Sequence, residues 1–175
     1  MRTNYPRHLP DFNYTGPHQY SLTFCTFDRQ HHFVDADTVT EASSQILRAA
    51  EEQHFAVIAY CFMPDHAHLI VEGLTADADL RRFISRAKQY SGYRFSKRTG
   101  KRLWQRYGFE HVVRDNECLQ RLVRYVLENP VRKNLADSPF EYPFIGSSVY
   151  TLPELLEFAF YRGEREPGER GAGYS

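Results

Sequence analysis

Cysteine is scarce in this 175-residue chain, which holds only Cys25, Cys61 and Cys118. An odd, widely spaced set builds neither a disulfide frame nor a paired-cysteine zinc site. The thiols are therefore expected to stay reduced, as in a cytosolic protein. Long apolar runs are missing too. No stretch of about 18 apolar residues occurs, so no membrane span is expected. The opening Met1-Arg2-Thr3-Asn4-Tyr5-Pro6 has no apolar segment, so no secretory signal is expected. Net charge is zero, which by itself argues against a general polyanion binder. There is no internal repeat and no interdomain linker, and the length suits about one domain. Apolar residues make up 42%, with 13 Phe and 12 Tyr, enough for a real core.

A local absence says more than the global balance. From Arg81 to Arg106 there is no Asp or Glu, while ten Lys and Arg residues fall there. Phe83, Tyr90, Tyr93, Phe95 and Trp104 lie among them. Basic side chains neutralise phosphates and aromatic rings stack on unpaired bases. The plainer reading is a solvated helix face with ordinary core aromatics.

The pattern of the chain predicts an α+β sandwich, an antiparallel sheet with helices packed on one face. Residues 1–17 are polar and Pro-rich and read as a flexible arm. Tyr20 to Phe27 alternates polar and apolar, which predicts a first strand. Asp37 to Gln53 repeats apolar residues at helical spacing. Phe55 to Phe62 is nearly all apolar and reads as a central strand. Met63-Pro64-Asp65 is a hairpin-length turn, so His66 to Glu72 should lie antiparallel beside it. A helix starting at Asp77 or Asp79 is expected to run to about Phe95, followed by a basic loop from Ser96 to Lys101. Leu103 to Arg114 reads as extended. Asp115 is a candidate N-cap for a helix that Pro130 stops. Residues 136–149 look like a loop, Leu152 to Tyr161 like a short last helix, and the Gly-, Glu- and Arg-rich end like a disordered tail. The catalytic unit is placed at 18–150, with 151–175 as helix and tail.

Within this frame the stretch Phe62-Met63-Pro64-Asp65-His66-Ala67-His68 carries the chemistry. Side chains alternate along a strand, so His66 and His68 share one face and Ala67, Leu69 and Val71 the other. Two such imidazoles can converge on a small ion. They can equally be structural histidines, and no cysteine pair or third nearby His completes a closed tetrahedral zinc site. Further on, the Asp115–Asn129 stretch drawn as a helical wheel puts Tyr125 about 130° off the apolar stripe. Asn129 falls one turn above it on the same side. A Tyr turned away from the core next to a carboxamide is either a half-exposed ring lying over its neighbours or a functional group.

Taken together, the histidine strand and the helix Arg124-Tyr125-Val126-Leu127-Glu128-Asn129-Pro130-Val131-Arg132 resemble the REP-associated tyrosine transposases. These are relatives of the single-tyrosine transposases of the HUH superfamily, named for their His-hydrophobic-His motif. The Leu103-Trp104-Gln105 and Tyr142-Pro143-Phe144 segments are similar to that family as well. The resemblance runs from about Tyr20 to Ser148. It implies a ferredoxin-like or RRM-like sandwich with a C-terminal extension, and an enzyme that cleaves and rejoins single-stranded DNA through a 5′-phosphotyrosine. Carried onto this chain, it implies Tyr125 as nucleophile and His66, His68 and Asn129 as ligands of a divalent metal. Mg²⁺ prefers oxygen and Mn²⁺ accepts imidazole more readily, so either suits a mixed site. Lys88, Arg98, Arg102 and Trp104 are the candidate DNA contacts. The partner implied is single-stranded DNA beside a hairpin of a REP-type palindromic repeat, and the place the bacterial cytoplasm, with nucleoid association. A monomer is expected, with a dimer as the alternative. The sequence also resembles the histidine-triad phosphate hydrolases. Ile70 stands where their third strand histidine would be, which argues against that chemistry. A non-cleaving single-strand binding module on the same scaffold is the other reading kept open.

Overall fold

The computed structural model describes residues 12–113 and 118–161. Ten elements follow in order: β1 (Gln19–Cys25), α1 (Ala36–Glu52), β2 (Phe55–Met63), β3 (His66–Gly73), α2 (Leu80–Thr99), β4 (Phe109–Val112), α3 (Leu119–Leu127), α4 (Asn129–Arg132), β5 (Ile145–Gly146) and α5 (Leu152–Phe160). The strands form one sheet in the order β4-β1-β3-β2-β5, and every pairing is antiparallel. The first four strands, crossed by α1 and α2, have the ferredoxin-like βαββαβ arrangement. This is the α+β sandwich that the sequence predicts.

Local chemistry sets the boundaries. Tyr20, Leu22 and Phe24 alternate with half-buried polar residues along β1, the signature of a strand with one face in a core. Asp35 caps α1 by accepting from the Thr38 amide at 2.8 Å, and Asp79 caps α2 by accepting from the Arg81 and Arg82 amides. Helix α2 runs past the predicted end at Phe95. It stops at Gly100, whose φ of 70° is a conformation that glycine adopts without steric cost.

Two cores result. Leu22, Phe62, Leu69, Val71 and Phe83 fill the space between the sheet and α1/α2. Ile58, Cys61, Ile70, Val126 and Leu155 fill the opposite face beneath α3 and α5. Each fully buried large apolar side chain contributes roughly 1.5–3 kcal/mol. The expectation of helices on one face therefore holds for α1 and α2 only. A register shift in β2 between Val57 and Ala59 accompanies the change, with Val57 in the first core and Ile58 and Ala59 in the second.

Three smaller corrections follow from packing. The described part of the arm is tied down, because the Gly16 amide donates to the Ala78 carbonyl at 2.9 Å and Tyr14 is buried. Residues 136–149 contain β5, which pairs with Tyr60 and Cys61 on the open edge of β2. Helix α5 is docked through Leu155, Leu156 and Ala159. The candidate cap Asp115 and the predicted disordered tail beyond Tyr161 lie outside the described residues.

Candidate active site

The turn at Pro64 and Asp65 is the tightest link in the sheet, since Met63 pairs directly with His66 across it. It is bolted to the loop after β1. The Asp65 carbonyl accepts from the Thr26 amide at 3.0 Å and from the Thr26 hydroxyl at 2.9 Å. The Pro64 carbonyl accepts from the Phe33 amide at 3.1 Å. Ala67, Leu69 and Val71 are sealed in the α1/α2 core. Alternation then sends His66 and His68 to the α3 side, beside Ile70.

On that side the imidazoles converge. Their Nε2 atoms are 3.0 Å apart and the rings are perpendicular. Each far nitrogen is held by a neighbour. The Asp65 carboxylate lies 2.6 Å from His66 Nδ1 and, through its other oxygen, 2.9 Å from Arg29 Nε. The Thr23 hydroxyl lies 3.0 Å from His68 Nδ1, as the β1–β3 register dictates by pairing Thr23 with His68. With Nδ1–H of His66 donating to Asp65, its Nε2 carries a lone pair. Two lone pairs do not face each other at 3.0 Å unaided. Either His68 Nε2–H donates across the gap or a cation takes both lone pairs. The Thr23 hydroxyl serves both states, donating to His68 Nδ1 in the first and accepting from Nδ1–H in the second.

Protonation is compatible with either state. Burial pushes His66 below the ordinary histidine range, against the pull of the Asp65 carboxylate. Burial, then the neighbouring His66 charge, pushes His68 down to about 4. Both rings are neutral near pH 7, the form that binds metal. Asp65 is itself buried enough to raise its pKa. Its hydrogen bond from His66 and the charges of His66 and Arg29 outweigh that and hold it below the usual carboxylate range. A carboxylate–histidine pair aimed at a common point is the arrangement that orients metal ligands.

Among the described residues no cluster of three or more His, Cys, Asp or Glu could hold a metal, so a third protein donor must be of another type. Asn129 is the candidate. It is buried, at 7% exposure, and its Nδ2 atom has no hydrogen-bond partner. The unpartnered atom is the amide NH₂ donor, whereas a cation would be bound through the amide oxygen. Two cis sites of an octahedral ion with bonds of about 2.1 Å are about 3.0 Å apart, which matches the imidazole pair. The imidazole pair fits a divalent ion, with the Asn129 oxygen as the candidate third donor.

Tyr125 sits where the wheel predicts, with 58% of its surface exposed. Asn129 does not share that face. Helix α3 ends at Leu127 and the chain restarts as α4 with Pro130 in its first turn, so a constant 100° per residue does not carry across the break. Asn129 turns inward while Tyr125 stays out. A residue that sequence reasoning left without a role engages the tyrosine. Arg132 lays its guanidinium carbon 4.0 Å from the centre of the Tyr125 ring, and its Nη2 donates to the Tyr125 carbonyl. Its charge also contributes to lowering the His68 pKa, and the charge of Lys133 does the same for His66.

Comparisons with known proteins bear on this geometry. The family model described as "Transposase IS200 like" matches residues 15–129, from before the first strand to Asn129. The chain belongs to the IS200-like transposase family. A Haemophilus influenzae protein carrying the provisional name REP-associated tyrosine transposase is 28% identical over 153 residues, 81% of this chain and 84% of that protein. Among solved structures, a REP-associated tyrosine transposase bound to a REP hairpin matches with a TM-score of 0.66 at 20% identity, covering 79% of this chain and 82% of that one. A Deinococcus radiodurans protein, provisionally named a transposase, matches with a TM-score of 0.50 at 18% identity, covering 74% and 98%. The sandwich is therefore the fold of this transposase family.

The basic aromatic segment of this IS200-like transposase forms a separate feature. An open groove of about 1210 Å³ lies between α2 and residues 100–110, and its walls include Arg81, Lys88, Tyr93, Arg102, Arg106 and Tyr107. Phe24 also lines it, so it opens on the α1/α2 side of the sheet, and none of His66, His68, Tyr125 and Asn129 borders it. The groove and the imidazole pair are thus separate features of the fold. Of the four proposed DNA contacts, Lys88 and Arg102 border the groove. Burial pushes Lys88 down to about 8, and its Nζ donates to the Gln105 carbonyl at 3.2 Å. Trp104 borders the groove but is 5% exposed, and its indole N–H donates to Ser91. It supports the wall and offers no free face for a base. Arg98 points elsewhere, bound to Glu41 at 3.0 Å and to the Thr38 hydroxyl, where it joins α2 to α1. The exposed rings are those of Tyr93 and Tyr107, each with a cation over it.

Proposed function

We propose that this transposase cleaves and rejoins single-stranded DNA beside a REP-type hairpin, with Tyr125 as nucleophile and a divalent ion, Mg²⁺ or Mn²⁺, at His66, His68 and Asn129. The observation that carries the reading is the imidazole pair. Its two Nε2 atoms converge at 3.0 Å, while Asp65 and Thr23 fix both outer nitrogens. The family and the hairpin-bound neighbour of like fold support the choice of substrate.

The ion, when bound, would polarise the scissile phosphate as a Lewis acid and stabilise charge developing on it. The chain supplies the rest. His66, His68 and Asn129, as two neutral imidazoles and an amide, would hold a cation without cancelling its charge. The Tyr125 phenol oxygen attacks phosphorus, the O–P bond forms, and the bond to the 3′ oxygen breaks. The phenol proton is lost and the 3′ oxygen gains one, so the products are a 5′-phosphotyrosine and a free 3′-OH. The phosphodiester energy is conserved, so the step reverses to join strands. The groove beside α2 holds a neighbouring stretch of the strand by phosphate contacts and by stacking on Tyr93 and Tyr107.

A non-cleaving binding module needs only that groove, and the separation of the groove from the imidazoles favours it as the second reading. One experiment separates them. The protein is incubated with an end-labelled hairpin oligonucleotide carrying single-stranded flanks and Mn²⁺, then run on a denaturing gel. A shifted band that EDTA and Tyr125→Phe both abolish is the expected result. Retention of DNA affinity with no such band under any metal makes the protein a binding module.

A further inference from the structure

We propose that Arg132 is the positioning residue for Tyr125, holding the phenol ring by its face and restricting its rotation. This rests on the reading of Tyr125 as nucleophile and adds a part that reading does not contain.

An exposed tyrosine on the outside of a helix ordinarily rotates among staggered rotamers, and only some of them present the hydroxyl to a given point. Rotation of that kind is costly for a nucleophile, because reaction needs a near-attack geometry. Tyr125 is 58% exposed, so packing alone does not fix it. Arg132 does so from three sides. Its guanidinium carbon stands 4.0 Å from the ring centre, well within the range of a cation–π contact. Its Nη2 donates to the carbonyl of Tyr125 itself, seven residues away. Its Nη1 lies 3.5 Å from Glu128 Oε2, while the other oxygen of Glu128 accepts from Arg124 at 2.9 Å. The planar fork of arginine is therefore spread between the backbone of the tyrosine, the face of its ring and a carboxylate that Arg124 anchors. Lysine has no such fork.

The break between α3 and α4 makes this possible. Leu127 ends one helix, Pro130 lies in the first turn of the next, and the Tyr125 carbonyl accepts from the Arg132 side chain.

The test is single-turnover formation of the covalent DNA adduct with Mn²⁺ and saturating hairpin oligonucleotide, with affinity measured separately. Arg132→Ala should slow adduct formation by about tenfold or more, the loss of a cation–π contact and a charge-assisted hydrogen bond together. Affinity should change far less than the rate. Guanidinium added at millimolar concentration should restore part of the rate, and methylammonium should not. Arg132→Gln keeps a donor for the carbonyl without the charge over the ring, and it should stay slow. Arg48→Ala removes a like contact, a guanidinium 4.5 Å from the Tyr90 ring and paired with Glu52, and should leave the rate unchanged. The proposal is overturned if Arg132→Ala reacts at the native rate, if rate and affinity fall in parallel, if Arg132→Gln is fully active, or if guanidinium gives no rescue to a variant with native melting temperature. A native protein that forms no adduct defeats the nucleophile assignment itself, which is a different outcome.

Discussion

Asp65→Asn isolates what holds the imidazole pair in place. The substitution keeps shape and removes one charge. In the native protein one carboxylate oxygen is 2.6 Å from His66 Nδ1 and the other 2.9 Å from Arg29 Nε. An amide oxygen can still accept from Nδ1–H, so the bond survives as a neutral one. Charge-assisted hydrogen bonds contribute about 1.5–3 kcal/mol against roughly 1 for neutral ones, so the loss is on the order of 1–2 kcal/mol. The Arg29 ion pair adds little, because the arginine is half exposed. Folding stability should therefore fall by about 1–2 kcal/mol. Metal affinity should fall further, by about 10–100-fold, because the amide also weakens the preference for the tautomer that leaves Nε2 free. Calorimetric titration of Mn²⁺ at neutral pH reads the second number and urea unfolding reads the first. Equal Mn²⁺ affinity in native protein and Asp65→Asn would refute the claim that Asp65 prepares a metal ligand. A collapse of folding with no change in metal binding would make it a structural group of the turn.

Further outcomes follow from the same coordinates. The His68 pKa is held at about 4 in the folded state, against about 6.5 unfolded. The fold thus disfavours the charged ring, so stability is full above about pH 6.5 and is lost as pH falls from there toward about 4. The loss from this group should be about 2–3 kcal/mol. Urea unfolding of metal-free protein across that window checks it, and a His68→Gln variant with the same slope would contradict the assignment. In the groove, Tyr107→Ala should weaken DNA binding by about 1–3 kcal/mol through lost stacking. Trp104→Phe should cost roughly 1 kcal/mol of stability through the lost bond to Ser91 and leave affinity intact. The reverse pattern in a fluorescence binding assay would return Trp104 to the DNA surface.

Much of this was legible along the chain, and the limits have physical causes. Alternation in β1 and β3 and the short turn at Pro64 place the histidines on one face without any structure, because the side-chain period of a strand is fixed. Tyr125 is legible for the same kind of reason, as a residue off the stripe of a helix. Asn129 and Arg132 are not, since both depend on where α3 breaks, and the Pro130 signal tells only that a regular helix does not continue. Thr23 becomes visible only through the β1–β3 register, which no local pattern encodes. Asp65 could have been read directly, as a carboxylate next to His66 in a tight turn. The second core was missed because α3 and α5 pair with the sheet over long sequence separations. The partners of Trp104 and Arg98 are not legible either, because composition counts a ring or a charge and not the group that occupies it.

The central claim, that the phenol of Tyr125 takes the phosphate, is tested most directly by mapping the covalent product. Adduct formed with a hairpin oligonucleotide is digested with nuclease and trypsin and read by tandem mass spectrometry. The chain contains 12 tyrosines, but the tryptic peptide Tyr125-Val126-Leu127-Glu128-Asn129-Pro130-Val131-Arg132 holds one. The account predicts the added phosphonucleotide mass on Tyr125 of that peptide, or of its extension back to Leu122 where the adduct blocks cleavage after Arg124. The same mass on any other tyrosine, or on a histidine, would contradict it.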